Sequence, residues 1–138
     1  MASHEISVEP DISALPPLLD WVENRCRADG LGDEVTFKMA LILEEAVTNV
    51  INYAFADRPP PHMIRVRLDI ALERIVAEVV DNGRPFDPLS RAEPDLSLPA
   101  EEREPGGLGI LLMRRMTDRI EYRRSNGDNR LRLEKARS

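Results

Sequence analysis

Three short stretches hold residue types at spacings that could do chemistry. In Glu44-Glu45-Ala46-Val47-Thr48-Asn49, Glu45 and Asn49 are four residues apart, which on a helix sets one a turn above the other. A carboxylate there can orient a nucleophile or take its proton. An amide oxygen one turn away suits magnesium, a hard cation that takes oxygen ligands and shares them with phosphates. In Asp81-Asn82-Gly83, Asp81 ends an alternating run in phase with Ile75, Ala77 and Val79, so its carboxylate faces inward. That is costly unless the group is paired or hydrogen-bonded. The amino group of an adenine would satisfy it, and Gly83 would let backbone approach closely or adopt a positive φ. In Gly106-Gly107-Leu108-Gly109, glycines precede an apolar helix. Free N–H groups at a helix start, with no side chains in the way, make an anion site.

Each stretch also has an ordinary reading: a solvated helix edge, a turn closing a strand, a hinge at a helix start. The glycines match neither the P-loop nor the dinucleotide-binding fingerprint. Taken together, a carboxylate for a base, an amide for a metal and a glycine-rich helix start for phosphates are the parts of a magnesium-nucleotide site.

The elements that must position these groups follow from hydrophobic period. Glu5 to Val8 reads as a short strand. Leu15, Leu18, Leu19, Val22 and Cys26 fall at helical spacing over residues 14–26, with Asp11 or Ser13 as the cap. A longer helix is expected over residues 33–55, its stripe running through Val35, Met39, Ile42, Ala46, Val50 and Ala54; Glu45 and Asn49 flank that stripe. Asp57-Arg58-Pro59-Pro60-Pro61 ends it. The period then drops to two in strands at 64–70 and 74–81. Residues 84–105, with five prolines and many charges, are long for a structureless loop and read as a lid or a disordered segment. A helix over 110–116 and strands near 119–124 and 130–134 follow, the last two joined through an Asn126-Gly127 hairpin signal. The order β-α-α-β-β-lid-α-β-β predicts an α+β, two-layer sandwich: helices on one face of a mixed, mostly antiparallel sheet.

Composition narrows the class. The 138 residues suit a single domain, residues 1–138, and 42% hydrophobic with 32% charged is ordinary for a soluble globular protein. A net charge of −6 argues against nucleic-acid binding by bulk charge. The basic cluster Arg114, Arg115, Arg119, Arg123 and Arg124 reads as a solvated face or a platform for an acidic protein partner. One cysteine, Cys26, allows neither an internal disulfide nor a cysteine-rich metal site. No apolar run approaches the about 20 residues of a membrane span, and the N-terminus lacks the basic start and apolar run of a signal peptide. The expectation is a cytoplasmic protein that engages neither membrane nor nucleic acid directly.

The motifs in this order resemble those of the histidine-kinase-like (GHKL) ATPases. Glu45-x-x-x-Asn49 looks like their N box, Asp81-Asn82-Gly83 their G1 box, and Gly106-Gly107-Leu108-Gly109 their G2 box. The resemblance covers nearly the whole chain and implies the Bergerat fold, with the ATP lid at residues 84–105. Within the superfamily the chain is most similar to the anti-sigma factor serine kinases, in the Glu44–Asn49 helix, the lid from Phe86-Asp87-Pro88 onward, Asp118 to Tyr122, and Leu131 to Lys135. The resemblance implies ATP and Mg2+ as cofactors. It makes Glu45 the general base toward a partner's serine hydroxyl and Asn49 the magnesium ligand. Asp81 would bind the adenine amino group with Gly83 beside it, and Gly107, Leu108 and Gly109 would lie at the phosphates. It implies a serine/threonine-protein kinase that binds a sigma factor or other regulator and phosphorylates a serine on a STAS-type anti-sigma antagonist. A homodimer, as in the family, would use exposed parts of the first helix or the sheet edge. The proline turn 59–61 and the acidic run 101–104 depart from the pattern, and bear on partner choice.

Other readings remain open. A non-catalytic, ATP-gated module that sequesters a partner would use the same motifs, although Glu45 would then have no evident task. A sensor histidine kinase needs a phosphorylatable histidine on a dimerisation helix, and His4 and His62 lie on no suitable helix. A gyrase- or chaperone-like ATPase would need further domains.

Overall fold

A computed structural model describes residues 2–90, 97, 99 and 108–137. Gly106, Gly107, the acidic run 101–104 and most of the expected lid lie outside the described residues.

The elements are β1 (Ala2–Val8), α1 (Leu15–Ala28), α2 (Asp33–Asn49), β2 (Ile64–Ile70), β3 (Arg74–Asp81), α3 (Leu108–Met116), β4 (Arg119–Ser125) and β5 (Asp128–Ala136), with short 3-10 turns at Ile12–Ala14 and Pro88–Ser90. The five strands form one sheet in the order β1-β2-β3-β5-β4. All four pairings among the described residues are antiparallel, where a mixed sheet was expected.

Helix α1 buries Leu18, Val22 and Cys26 and carries prolines in its first turn, where a missing N–H costs no intrahelical bond. Neither Asp11 nor Ser13 caps it through a side chain. The Ser13 hydroxyl instead donates to the Asp11 carboxylate, and the Asp11 carbonyl accepts from Ala14 N at 2.9 Å in the preceding 3-10 turn. Gly30 takes the left-handed conformation after α1, at φ 85°, as helix C-termini favour. Helix α2 opens with Asp33 and Glu34, which complement the positive end of the helix dipole.

The long helix expected over 33–55 is α-helical only to Asn49. Residues Val50–Ala54 continue it as one π-helical turn, a local widening that tends to occur at functional positions.

Strands β4 and β5 meet in a two-residue turn. Ser125 pairs with Asp128, and Asn126 and Gly127 sit at φ 52° and 82°, as a type I′ hairpin requires. Strand β5 therefore begins two residues before the expected Arg130.

The core lies on one face of the sheet. Ile42, Leu43 and Val47 of α2 are fully buried with Ile64, Val66 and Leu68 of β2 and Ile75 and Ala77 of β3. Burying such aliphatic side chains is worth about 1.5–3 kcal/mol each, and this holds α2 rigidly over the sheet. Cys26 is part of that core; burial pushes its thiol up to about 11, away from reactivity. Among the described residues no helix is long and apolar enough to cross a membrane.

Candidate functional site

Asn49 and Asp81, from the first two chemically promising stretches, meet at one end of the sheet, beneath the C-terminal half of α2. A narrow pocket there is floored by Val79 and Asp81 of β3 and by Asn129 and Leu131 of β5. Ala46, Asn49 and Val50 form one wall, and Phe86, Pro88 and Tyr122 another.

Asp81 is 3% exposed. Its Oδ1 accepts from Gly83 N at 2.8 Å and from Asn129 Nδ2 at 2.9 Å. Both hydrogen bonds go to this one oxygen, and Oδ2 takes neither. Burial raises the carboxyl above the ordinary aspartate range; the Asn129 and Gly83 donors and the nearby Arg124 charge pull the other way without cancelling it. A partly satisfied carboxylate facing a pocket is suited to a ligand that brings its own donor.

Gly83 has a specific packing reason to be glycine. A Cβ there would lie 2.3 Å from the Ala54 carbonyl oxygen, and Gly83 is not among the glycines with positive φ. Of the two needs the sequence left open, close approach is the one met. The π-helical turn brings Ala54 to this position, and Ala54 O accepts from Arg84 N at 2.8 Å. Arg84 Nε also donates to Tyr53 O at 3.0 Å, and Tyr53 stacks on Phe86 with ring centroids 5.7 Å apart. Asn82 is structural: it accepts from Met63 N at 2.7 Å and donates to Pro61 O at 2.9 Å, pinning the proline turn to the end of β3.

Asn49 lines the pocket, and its Nδ2 is buried with no hydrogen-bond partner among the described residues. A buried amide donor left unmade costs free energy, so a polar ligand would relieve it. The orphaned amide donor suits an acceptor on a ligand, such as a phosphate oxygen, and the one-sided Asp81 suits a donor, such as a base amino group.

Glu45 stands one turn before Asn49 on α2. Burial, and then the adjacent Glu44, hold its carboxyl above the usual range, as suits a group that accepts a proton. Gly109, the second residue of α3, is packed against it: a Cβ at 109 would lie 2.2 Å from Glu45 Oε2. The start of α3 therefore stands beside the carboxylate. Leu108 opens α3, and Gly107 falls outside the described residues.

Asn129 escaped the sequence reading, which left it in the turn after Ser125. It is 3% exposed and pairs in register with Asp81. The signal was present: Asn129 is in phase with Leu131 and Leu133, both inward. Arg124 differs from its expected place as well. Where the basic cluster read as a solvated face or a platform for an acidic protein partner, Arg124 turns inward and donates to Gly83 O at 2.8 Å and Asn129 Oδ1 at 3.1 Å. Arg114 on α3 donates to Leu89 O at 2.9 Å. The cluster is thus divided among α3 and the two faces of β4.

A two-layer sandwich with a half-satisfied carboxylate at a strand end and an Asn–Glu pair on the covering helix defines a class, and comparison with known proteins agrees. The profile of the histidine kinase-like ATPase domain matches residues 8–135, and the chain belongs to that family. It is 30% identical over 117 residues to the serine/threonine-protein kinase BtrW of Bordetella bronchiseptica, covering 83% of this chain and 80% of that protein. It is 29% identical over 89 residues to an anti-sigma F factor of Caldanaerobacter subterraneus, covering 64% of this chain and 61% of that one. Among solved structures, the RsbU and RsbW domains of a Mycobacterium tuberculosis protein superpose over 100% of this chain, and 34% of theirs, with TM-score 0.69 at 13% identity. A blue-light activated histidine kinase domain of Erythrobacter litoralis superposes over 91% of this chain, and 60% of its own, with TM-score 0.55 at 17% identity. At such identities the structural likeness concerns the fold.

Proposed function

We propose that this domain is an ATP-dependent serine/threonine-protein kinase of the partner-switching type, which binds a sigma factor or other regulator and phosphorylates a serine on a STAS-type antagonist. The observation that carries the reading is that Asn49 of α2 and Asp81 of β3 line one pocket, with Glu45 one turn before Asn49 on α2 and the start of α3 packed against it. Kinase and anti-sigma relatives support it.

In this reading ATP would be the phosphoryl donor, its γ-phosphoryl passing to the serine oxygen with ADP as the leaving group, and bound Mg2+ would supply charge neutralisation at the phosphates. Asp81 Oδ2 accepts from the adenine amino group while Asn129 and Gly83 hold Oδ1. Asn49, through its amide oxygen, would hold the magnesium ion. Gly107, Leu108 and Gly109 lie at the phosphates, where N–H groups at the start of α3 favour negative charge. Glu45 accepts the proton of the attacking serine hydroxyl, aided by its raised pKa. Phosphoryl transfer asks chiefly for positioning and charge stabilisation, and these residues hang on elements locked by the core.

The test is transfer of label from γ-labelled ATP, with magnesium, to a protein in lysate of the source cells, beside Glu45→Gln. The expected result is an acid-stable labelled band with the wild type, reduced about 100-fold or more in the variant, with ATP affinity retained. Equal labelling by both would remove Glu45 from the mechanism. ATP binding with no labelling at all would turn the reading toward a non-catalytic ATP-gated module.

A further inference from the structure

We infer that Asn129 is the positioning residue that fixes Asp81 and ties it to the backbone at residues 84–86, so that base recognition and the pocket wall formed by Phe86 are coupled. The inference rests on the nucleotide reading of the pocket and adds a residue and a coupling to it.

One amide makes contacts in three directions. Nδ2 donates to Asp81 Oδ1 at 2.9 Å and to the Arg84 carbonyl at 2.8 Å. Oδ1 accepts from Phe86 N at 3.2 Å, from Arg124 Nη1 at 3.1 Å and from the Tyr122 hydroxyl. Residue 129 thus joins the carboxylate on β3, the backbone at 84–86 and the edge strand β4. An amide is needed for this, because only a group that donates on one side and accepts on the other serves both sets of partners. A carboxylate cannot donate to Asp81 unless protonated, and an aliphatic side chain would strand Phe86 N, Tyr122 and Arg124. With Oδ1 of Asp81 engaged, the rotamer that leaves Oδ2 to the pocket is held in advance, which is where preorganised contacts gain affinity.

The charged and titratable groups around Asn129 are Asp81 from β3 and Tyr122 and Arg124 from β4, with Asp87 and Asp128 beyond them. This arrangement gives the test a signature that a structural role alone would not produce. Asn129→Asp sets a carboxylate against Asp81, and two such groups share a proton as pH falls. The protonated form regains a donor toward Asp81.

The experiment is calorimetry of ATP binding to wild type, Asn129→Ala and Asn129→Asp across about pH 8 to pH 5.5, spanning the range in which coupled carboxyls titrate. Each variant is checked for a cooperative thermal transition. Amide exchange at Phe86 is followed in the wild type with and without ATP. We expect Asn129→Ala to weaken ATP about tenfold at all pH values, one hydrogen bond's worth. Asn129→Asp should be weaker still at high pH and recover toward wild type as pH falls, expressed as the ratio to wild type so that titration of ATP cancels. ATP should slow exchange at Phe86. If both variants bind ATP as the wild type does, with a flat ratio, or if Phe86 exchange ignores ATP, the positioning role is overturned while the nucleotide reading stands. A wild type that does not bind ATP overturns both. Should Asn129→Ala fail to fold, the pH ratio of Asn129→Asp and the wild-type Phe86 exchange still decide.

Discussion

The sheet carries two buried carboxylates on adjacent strands, and they are treated in opposite ways. Glu134 of β5 lies on the face away from the helices and is 8% exposed. Arg74 meets it at 2.9 Å, with Arg119 and Arg132 each at 3.9 Å. Asp81 of β3, on the helix-covered face, meets no cation within ion-pairing distance among the described residues. It has two neutral donors, both on one oxygen, and its carboxyl is raised by burial. Glu134 is saturated by partners the chain itself supplies. Asp81 is held in place yet left short of full satisfaction. Buried charge is tolerated when paired, so Glu134 reads as part of the scaffold and Asp81 as a group kept for a ligand.

The largest effect should come from removing the Asp81 charge. In Asp81→Asn, Oδ1 can still accept from Gly83 and Asn129, but the pocket-facing atom no longer offers a charged acceptor. A hydrogen bond to a charged group is worth about 1.5–3 kcal/mol, so ATP affinity should fall about 10- to 150-fold by calorimetry. Stability should move the other way. A carboxyl whose folded pKa is raised contributes stability that is full below its unfolded value and lost as pH rises through the folded one. Above the folded pKa that contribution is gone, so there the neutral asparagine should melt higher than the wild type, with the gain shrinking as pH falls toward the unfolded value of about 4. Unchanged ATP affinity would end the claim that Asp81 is reserved for a ligand. A lower melting point at pH 7 would show that it is scaffold, like Glu134.

Gly83→Ala attacks the frame around Asp81 instead of its charge. The added Cβ meets a backbone carbonyl at 2.3 Å, which no side-chain rotation can relieve. Either the end of β3 or the π-helical turn must shift, at about 1–3 kcal/mol, or roughly 3–10 °C in Tm for a chain of this size. Because Gly83 N also holds Asp81 Oδ1, ATP affinity should fall with it. Thermal melting at wild-type temperature would mean that the approach of Ala54 does not constrain the site.

Much of this contrast was legible in the sequence, and the reason is phase. Asp81 continues the inward series Ile75, Ala77, Val79, so its burial followed from a period of two. Glu45 and Asn49 follow from the helical period in the same way. Asn129 obeyed the same rule with Leu131 and Leu133, but the hairpin signal at Asn126-Gly127 absorbed its polar neighbours into a turn only two residues long. Arg124, in phase with Ile120 and Tyr122, was hidden by the other arginines nearby. The π-helical turn at Val50–Ala54 had no such signal. Its stripe continues through Val50 and Ala54 at ordinary helical spacing, and only the approach of Gly83 to Ala54 shows why the helix widens there. The pairing of Glu45 with Gly109 was equally invisible, because helix packing and not spacing along the chain brings them together.

Glu134→Gln gives the smallest effect and the sharpest control. The three arginines around it are each more than half exposed, so solvent and salt screen their attraction to the buried carboxylate, and each pair lies nearer the about 0–1 kcal/mol of a surface ion pair than the larger value of a fully buried one. The glutamine still offers an acceptor to Arg74. The loss should therefore be about 1 kcal/mol by denaturant unfolding, smaller at high salt, with ATP affinity unchanged because the side chain faces away from the pocket. Asp81→Asn should do the reverse in both measurements, higher stability and weaker ATP. If the two variants instead shift stability and affinity in the same direction, the division of labour between the two faces of the sheet fails, and Asp81 loses the physical argument that sets it apart as a binding group.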